Sequence, residues 1–184
     1  MKMRIGLFLL CAALALSPVA HAENGAIKGA FGFWFGETLD TSGKAPVFRG
    51  DNGVRAYAVE SPPSPYGAFS RYTVYVTEDD RIYEIAGDGR MDSSSACIDE
   101  LLFMTEVVAA KYPGAARLAS EGTLIRRTVL RKGHNLVEIV CLDEDIAIRY
   151  RDDGVLTRPL DARLAKGAQE GRPAETRERD TSGL

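Results

Sequence analysis

Histidine, cysteine and tryptophan are scarce in this chain of 184 residues, which contains two, three and one of them respectively. A Ser-His-Asp triad needs a histidine held by an acid beside a nucleophile, and a zinc site needs about four ligands. Outside the first 22 residues the only histidine is His134, which lies between glycine and asparagine in a predicted turn. We therefore expect no histidine-based catalysis, no metal and no cofactor.

An excess of basic residues is also missing. The formal net charge is −3, and it becomes −5 when Lys2 and Arg4 leave with the N-terminal segment, because 21 bases then face 26 acids. Nucleic-acid binding needs a cationic surface that releases counterions from phosphates. No apolar stretch reaches the roughly 18 residues that a membrane-spanning helix needs. We expect neither nucleic acid nor a membrane span.

The first 22 residues have the three parts of a secretory signal. The start Met-Lys-Met-Arg is basic, residues 5–16 are 12 apolar or small residues, and Ala20-His21-Ala22 is a small-x-small exit. We predict cleavage after Ala22, which leaves 184 − 22 = 162 residues. The predicted location is periplasmic or secreted.

Cys97 and Cys141 are the two cysteines that remain after this cleavage. Cysteine pairs in exported chains are usually oxidised, so we predict a disulfide, which would also remove both thiols as nucleophiles. Two unpaired buried cysteines are the alternative.

Alternation of apolar and polar residues predicts about six strands in two groups of three, separated by one long helix. Residues 96–112 repeat apolar side chains at three-and-four spacing, and Pro113-Gly114 ends the helix. A short helix is expected near residues 160–166. The predicted strands are 54–60, 71–77, 81–86, 123–131, 136–142 and 146–151, with residues 87–95 as a turn-like connection.

Strands joined by short turns form an antiparallel sheet, and the helix must bury its apolar face against it. The predicted fold class is therefore α+β, in the order β-meander, helix, β-meander, with a weak pseudo-symmetry. The disulfide would fasten the start of the helix to the sheet. We assign residues 23–166 to one domain, and residues 167–184, which are poor in apolar residues, to a disordered tail.

Residues 30–35 read Ala-Phe-Gly-Phe-Trp-Phe. As a strand, this segment places Phe31, Phe33 and Phe35 on one face. We expect these three side chains and Trp34 to lie in the core.

The loop Ser61–Gly67 is the best candidate for a contact with a partner. Pro63 and Pro65 stiffen it, so docking would cost little conformational entropy, and Tyr66 and Phe69 offer aromatic anchors. The alternative is a rigid connector whose aromatic side chains fold back on the core.

A second candidate surface is basic. It could bind an anion or an acidic partner, unless it is a solvated sheet face with Glu138 interspersed. Its predicted members are Arg126, Arg127, Arg131, Arg149 and Arg151.

Acidic residues cluster at four predicted turns, and none of these clusters fits a calcium loop. Two carboxylates held in a cleft could hydrolyse a glycosidic bond. A carboxylate-based hydrolase or carbohydrate-active enzyme therefore stays an alternative.

The segment Phe31–Glu37 and the helix end Lys111-Tyr112-Pro113-Gly114 resemble short patches of small exported bacterial proteins of unknown role. The resemblance implies no activity. We expect a non-catalytic protein- or ligand-binding module of the bacterial envelope, whose partner is another envelope or extracellular protein. A structural envelope component is a further alternative.

Mass spectrometry of the native product tests the export prediction. We expect an amino terminus at Glu23 and no thiol that reacts with an alkylating agent until the protein is reduced. An intact amino terminus, or two thiols that react without reduction, would contradict it.

Overall fold

The computed structural model describes residues 26–121 and 125–157. These residues form a two-stranded hairpin, an eight-stranded antiparallel sheet and one long helix, followed by a helical turn over residues 153–157. In chain order the elements are β1 (Gly29–Ala30), β2 (Phe33–Trp34), β3 (Phe48–Arg49), β4 (Arg55–Val59), β5 (Arg71–Val76), β6 (Ile82–Arg90), α1 (Ser94–Lys111), β7 (Ala116–Glu121), β8 (Ile125–Lys132), β9 (Asn135–Leu142) and β10 (Asp145–Asp152).

The eight strands follow the order β3-β4-β5-β6-β10-β9-β8-β7. Each half of the sheet is a four-stranded meander, and α1 connects the two halves. The last strands of the two meanders, β6 and β10, pair with each other at the centre, from Asp145 opposite Arg90 to Arg151 opposite Glu84. The predicted antiparallel sheet with one main helix is confirmed, but the sheet has eight strands rather than six.

The two strands that the sequence did not predict, β3 and β7, are the edges of the sheet. β3 has only two residues. β7 reads Ala-Arg-Leu-Ala-Ser-Glu, and its one large apolar side chain, Leu118, is exposed. An edge strand that buries little has no apolar alternation, so the pattern gave no signal.

Strand β6 continues to Arg90, four residues beyond its predicted end. The predicted turn over residues 87–95 is wrong in its first half, because Gly87 and Gly89 lie inside the strand. A Cβ atom on Gly89 would collide with the carbonyl oxygen of Ala68, and one on Gly87 would press on the ring of Phe69. Glycine here lets the preceding loop lie directly on the strand.

Residues 30–35 form a hairpin rather than the single predicted strand. The chain turns at Phe31 and Gly32, whose φ angles are 54° and 85°. Phe33 still packs on the core of the first meander. Trp34 is 52% exposed, so its predicted place in the core is wrong.

Helix α1 is capped by Ser93, whose side chain accepts a hydrogen bond from the backbone N–H of Ala96 at 3.2 Å. Its buried side chains include Leu101, Met104 and Val108. The predicted disulfide between Cys97 and Cys141 is confirmed, and it joins the first turn of α1 to β9 with a Cα–Cα distance of 5.9 Å. A disulfide indicates an oxidising, extracytoplasmic environment.

One helix cannot cover the whole sheet. Eight strands about 4.8 Å apart span about 34 Å, whereas a helix with its side chains is about 10–12 Å across. Helix α1 lies over β8, β9 and β10. On the same face, residues 26–39 and 61–70 cover the first meander, so a seam forms where they meet α1.

Several predictions lie outside the described residues: the signal of residues 1–22, the short helix near 160–166 and the tail of 167–184. Among the described residues, no helix is both long and apolar enough to cross a membrane.

Removing the disulfide tests its role in fastening α1. The bond closes a loop across a sequence separation of 44, so the Cys97→Ala/Cys141→Ala double variant is expected to lower the free energy of unfolding by about 2–4 kcal/mol. Urea denaturation measures this. The wild-type protein after reduction is the control and should unfold at a similar urea concentration. A loss below about 1 kcal/mol would contradict the prediction.

Candidate functional site

An apolar cleft with a volume of about 350 Å³ lies at the seam between α1, the hairpin and the loop that follows β4. One wall comes from α1, the opposite wall from the hairpin and the loop, and the floor from β10. The apolar and aromatic side chains that line it are Phe103, Met104, Val107 and Val108 from α1, Ala30, Phe31, Pro65, Tyr66 and Phe69 from the opposite wall, and Ile148 and Tyr150 from the floor.

A second cavity of about 380 Å³ lies beside the first. The two share Gly29, Ala30, Phe31, Ser64 and Lys111 in their linings, so they adjoin around the hairpin. The second cavity, but not the first, is lined by Lys28, Trp34 and Tyr112.

The helix wall of the cleft exposes large apolar side chains. Phe103 is 56% exposed and Val107 is 50% exposed, and both line the cleft. Leu102, on the same helix, is 47% exposed but lines neither cavity. Contiguous apolar surface at the mouth of a concave site is typical of binding sites.

The opposite wall is held in place through Tyr66. Its hydroxyl donates a hydrogen bond to Oε1 of Glu100 on α1 at 2.6 Å. Its backbone N–H donates to the hydroxyl of Tyr72 at 2.8 Å, and that hydroxyl donates to the carbonyl of Tyr66 at 2.9 Å. Burial and the bond to Glu100 raise the pKa of Tyr66 to about 12, so its phenol stays protonated and keeps donating near neutral pH.

The loop residues predicted as a contact surface are placed as follows. Phe69 is 7% exposed and lies in the core against Phe31 and Tyr72. Pro65 and Tyr66 line the cleft, and Pro63 is exposed and lies beside Gly32. The aromatic side chains of the loop therefore face the core and the cleft.

The predicted basic residues divide between the two faces of the sheet. In the strand register, Arg126 lies on the helix side, opposite Cys141. The other four lie on the face opposite α1, where each is paired with an acid: Arg127 with Glu138, Arg149 with Glu84, and both Arg131 and Arg151 with Asp153. These three acids offset most of the positive charge of the four arginines. The partly exposed pairs of Arg127, Arg131 and Arg151 contribute at most about 1 kcal/mol each.

Glu84 is a buried carboxyl group on this face, and it is 8% exposed. Burial raises its pKa, while nearby Arg149 and Arg151 oppose that shift. A raised carboxyl pKa can mark a general acid, but Glu84 lines none of the cavities described here.

A third cavity, of about 350 Å³, has two acids in its lining, Glu37 and Asp152. Oδ1 of Asp152 accepts hydrogen bonds from the backbone N–H groups of Gly154 at 2.8 Å and Val155 at 3.3 Å. This carboxylate therefore caps the helical turn of residues 153–157.

In the described part of the chain, no three His, Cys, Asp or Glu side chains lie close enough together to hold a metal ion. His134 is exposed in the turn between β8 and β9, as predicted.

The cleft itself was not predicted from the sequence. Phe103 and Val107 are four residues apart, so they form a second apolar stripe on α1 beside the buried one. That stripe is the signal that could have revealed the cleft, since a helix with one buried face needs only one stripe.

A double-mutant cycle measures how much the hydrogen bond between Tyr66 and Glu100 contributes to the free energy of unfolding. Combining Tyr66→Phe with Glu100→Ala is expected to give a coupling energy of about 1–2 kcal/mol in urea unfolding, because the bond is charge-assisted and partly buried. The exposed pair Arg117 and Glu106, 2.8 Å apart, is the matched control and should give less than about 1 kcal/mol. Equal couplings would show that the loop is not fastened through Tyr66.

Comparison with known proteins gives no relative from which a role could be read. The chain matches no model of a protein family, no curated protein and no solved structure. The cleft between α1 and the loop is therefore the feature from which a function can be inferred.

Proposed function

We propose that the mature chain is an exported, non-catalytic binding module that takes an apolar group of a ligand into the cleft between α1 and the loop that contains Tyr66. The observation that carries this proposal is the cleft of about 350 Å³, whose mouth exposes Phe103 and Val107. The disulfide supports export, because such bonds persist in oxidising compartments.

The cleft offers binding energy without large rearrangement. Covering a large apolar side chain yields about 1.5–3 kcal/mol relative to full exposure, and Phe103 and Val107 are each about half exposed. The disulfide holds the start of α1, and Tyr66 holds the opposite wall. Walls fixed before binding lose little conformational entropy when a ligand enters.

The carboxylate-based hydrolase is the second candidate, and the third cavity is the observation in its favour. Glu37 and Asp152 both line that cavity. The hydrogen bonds that Oδ1 of Asp152 accepts from Gly154 and Val155 weigh against it, because they engage lone pairs that a nucleophile or general base would use.

Binding of N-phenyl-1-naphthylamine, an uncharged apolar fluorophore, tests the proposed function. Its emission should rise on addition of the wild-type protein, and Phe103→Gln is expected to weaken binding by about tenfold, because it removes apolar surface from the cleft wall. Leu102→Gln is the matched control, since Leu102 is adjacent and similarly exposed but lines neither cavity. Equal weakening by both variants, or no binding by the wild type, would contradict the proposal.

A further inference from the structure

The polar side chains of the two adjoining cavities share one property. Lys28, Ser64 and Lys111 present ammonium or hydroxyl groups, and among the described residues no carboxylate lines either cavity. The nearest acids in a cavity lining are Glu37 and Asp152 of the third cavity, which shares Lys28 with the second. This composition contrasts with a chain in which 26 acids outnumber 23 lysines and arginines. The polar part of the cleft is therefore made of hydrogen-bond donors and positive charge, which complement an acceptor or an anion.

Lys111 occupies the central position in this arrangement. It is the last residue of α1, lines both cavities and is exposed, with Nζ 5.5 Å from the ring centroid of Tyr112. The carboxyl end of a helix carries partial negative charge, which by itself repels an anion. An anion at this position must therefore be held by the lysine ammonium rather than by the helix.

Hydroxyl groups extend the donor surface. Ser64 lines both cavities, and the phenols of Tyr66 and Tyr150 line the first. Burial raises the pKa of Tyr66 and of Tyr150, so both phenols stay protonated near neutral pH. The proton of Tyr66 is already donated to Glu100, which is not among the lining residues, so Ser64 and Tyr150 are the hydroxyl groups that can donate to a ligand.

We propose that the ligand is a single-chain anionic amphiphile, a free fatty acid, with its tail between Phe103 and the loop and its carboxylate at Lys111. This inference rests on the proposed function and adds the class of ligand. The cavities, of about 350 and 380 Å³, have the size of small-molecule sites. Stable protein partners cover about 800 Å² on each side, so this concave seam favours a small molecule over a protein.

The first experiment compares three 12-carbon ligands below their critical micelle concentrations: dodecanoate, dodecanol and dodecyltrimethylammonium. Trp34 is the only tryptophan and lines the second cavity, so its fluorescence reports binding next to Lys111. Dodecanoate is expected to bind about three- to tenfold more tightly than dodecanol, and the cationic ligand more weakly than both. Extending the acid from eight to ten carbons should tighten binding by roughly tenfold.

The second experiment substitutes the lysine. Lys111→Gln is expected to weaken dodecanoate binding by about three- to tenfold and to leave dodecanol binding unchanged, since only the carboxylate uses the ammonium. Lys44→Gln is the control, because Lys44 is exposed before β3 and lines neither cavity. Circular dichroism of each variant checks that the fold is intact.

The outcomes separate this inference from the proposed function. Equal affinity for dodecanoate and dodecanol, or tighter binding of the cation, overturns the anionic ligand while the apolar cleft stands. Binding of N-phenyl-1-naphthylamine without binding of any 12-carbon ligand also overturns the fatty acid and leaves the cleft as an apolar site for another class. Loss of all binding, including that of the neutral fluorophore, overturns both.

Discussion

The organisation of this protein depends on how one helix and an eight-stranded sheet bury apolar surface against each other. The sheet is about three times as wide as the helix, so α1 covers only the second meander. The first meander is covered by less regular chain, the hairpin of β1 and β2 and the loop that contains Tyr66. Phe31 lies at the junction of the two covers, with its ring centroid 5.0 Å from that of Tyr72 and 5.9 Å from that of Tyr150. The cleft is the remaining gap between these two kinds of cover.

Local patterns in the sequence predicted the elements that bury one whole face. Helix α1, six of the eight strands and the disulfide all follow from apolar spacing, turn residues and cysteine count. The missed features depend on contacts between distant parts of the chain. Gly87 and Gly89 look like turn residues until Ala68 and Phe69 are placed on them. Phe31 adopts a positive φ angle that is unusual for a bulky side chain, and its packing against Tyr72 and Tyr150 accompanies that turn.

The candidate site shows the same division between local and distant information. Composition indicated that the loop from Ser61 to Gly67 is rigid and aromatic, and the structure places its aromatic side chains at the cleft and in the core. Composition could not indicate that α1 forms the facing wall of the cleft, because the hydrogen-bonded residues Glu100 and Tyr66 are 34 residues apart in the sequence. On the sheet face opposite α1, Arg127 and Arg149 pair with Glu138 and Glu84 on neighbouring strands, whereas Arg131 and Arg151 both pair with Asp153, which follows β10. The pairs between neighbouring strands depend on the strand register, which the sequence alone did not give.

The central pairing of β6 with β10 has a consequence for how the molecule is made. The strands at the two edges begin the two meanders, whereas the strands at the middle end them. Strand β6, the longest of the described strands, therefore keeps an unpaired backbone edge until β10, the last of them, is available. An exposed edge of nine residues invites pairing with other chains. A folding molecule thus remains vulnerable to mispairing with other chains until β10 has paired with β6.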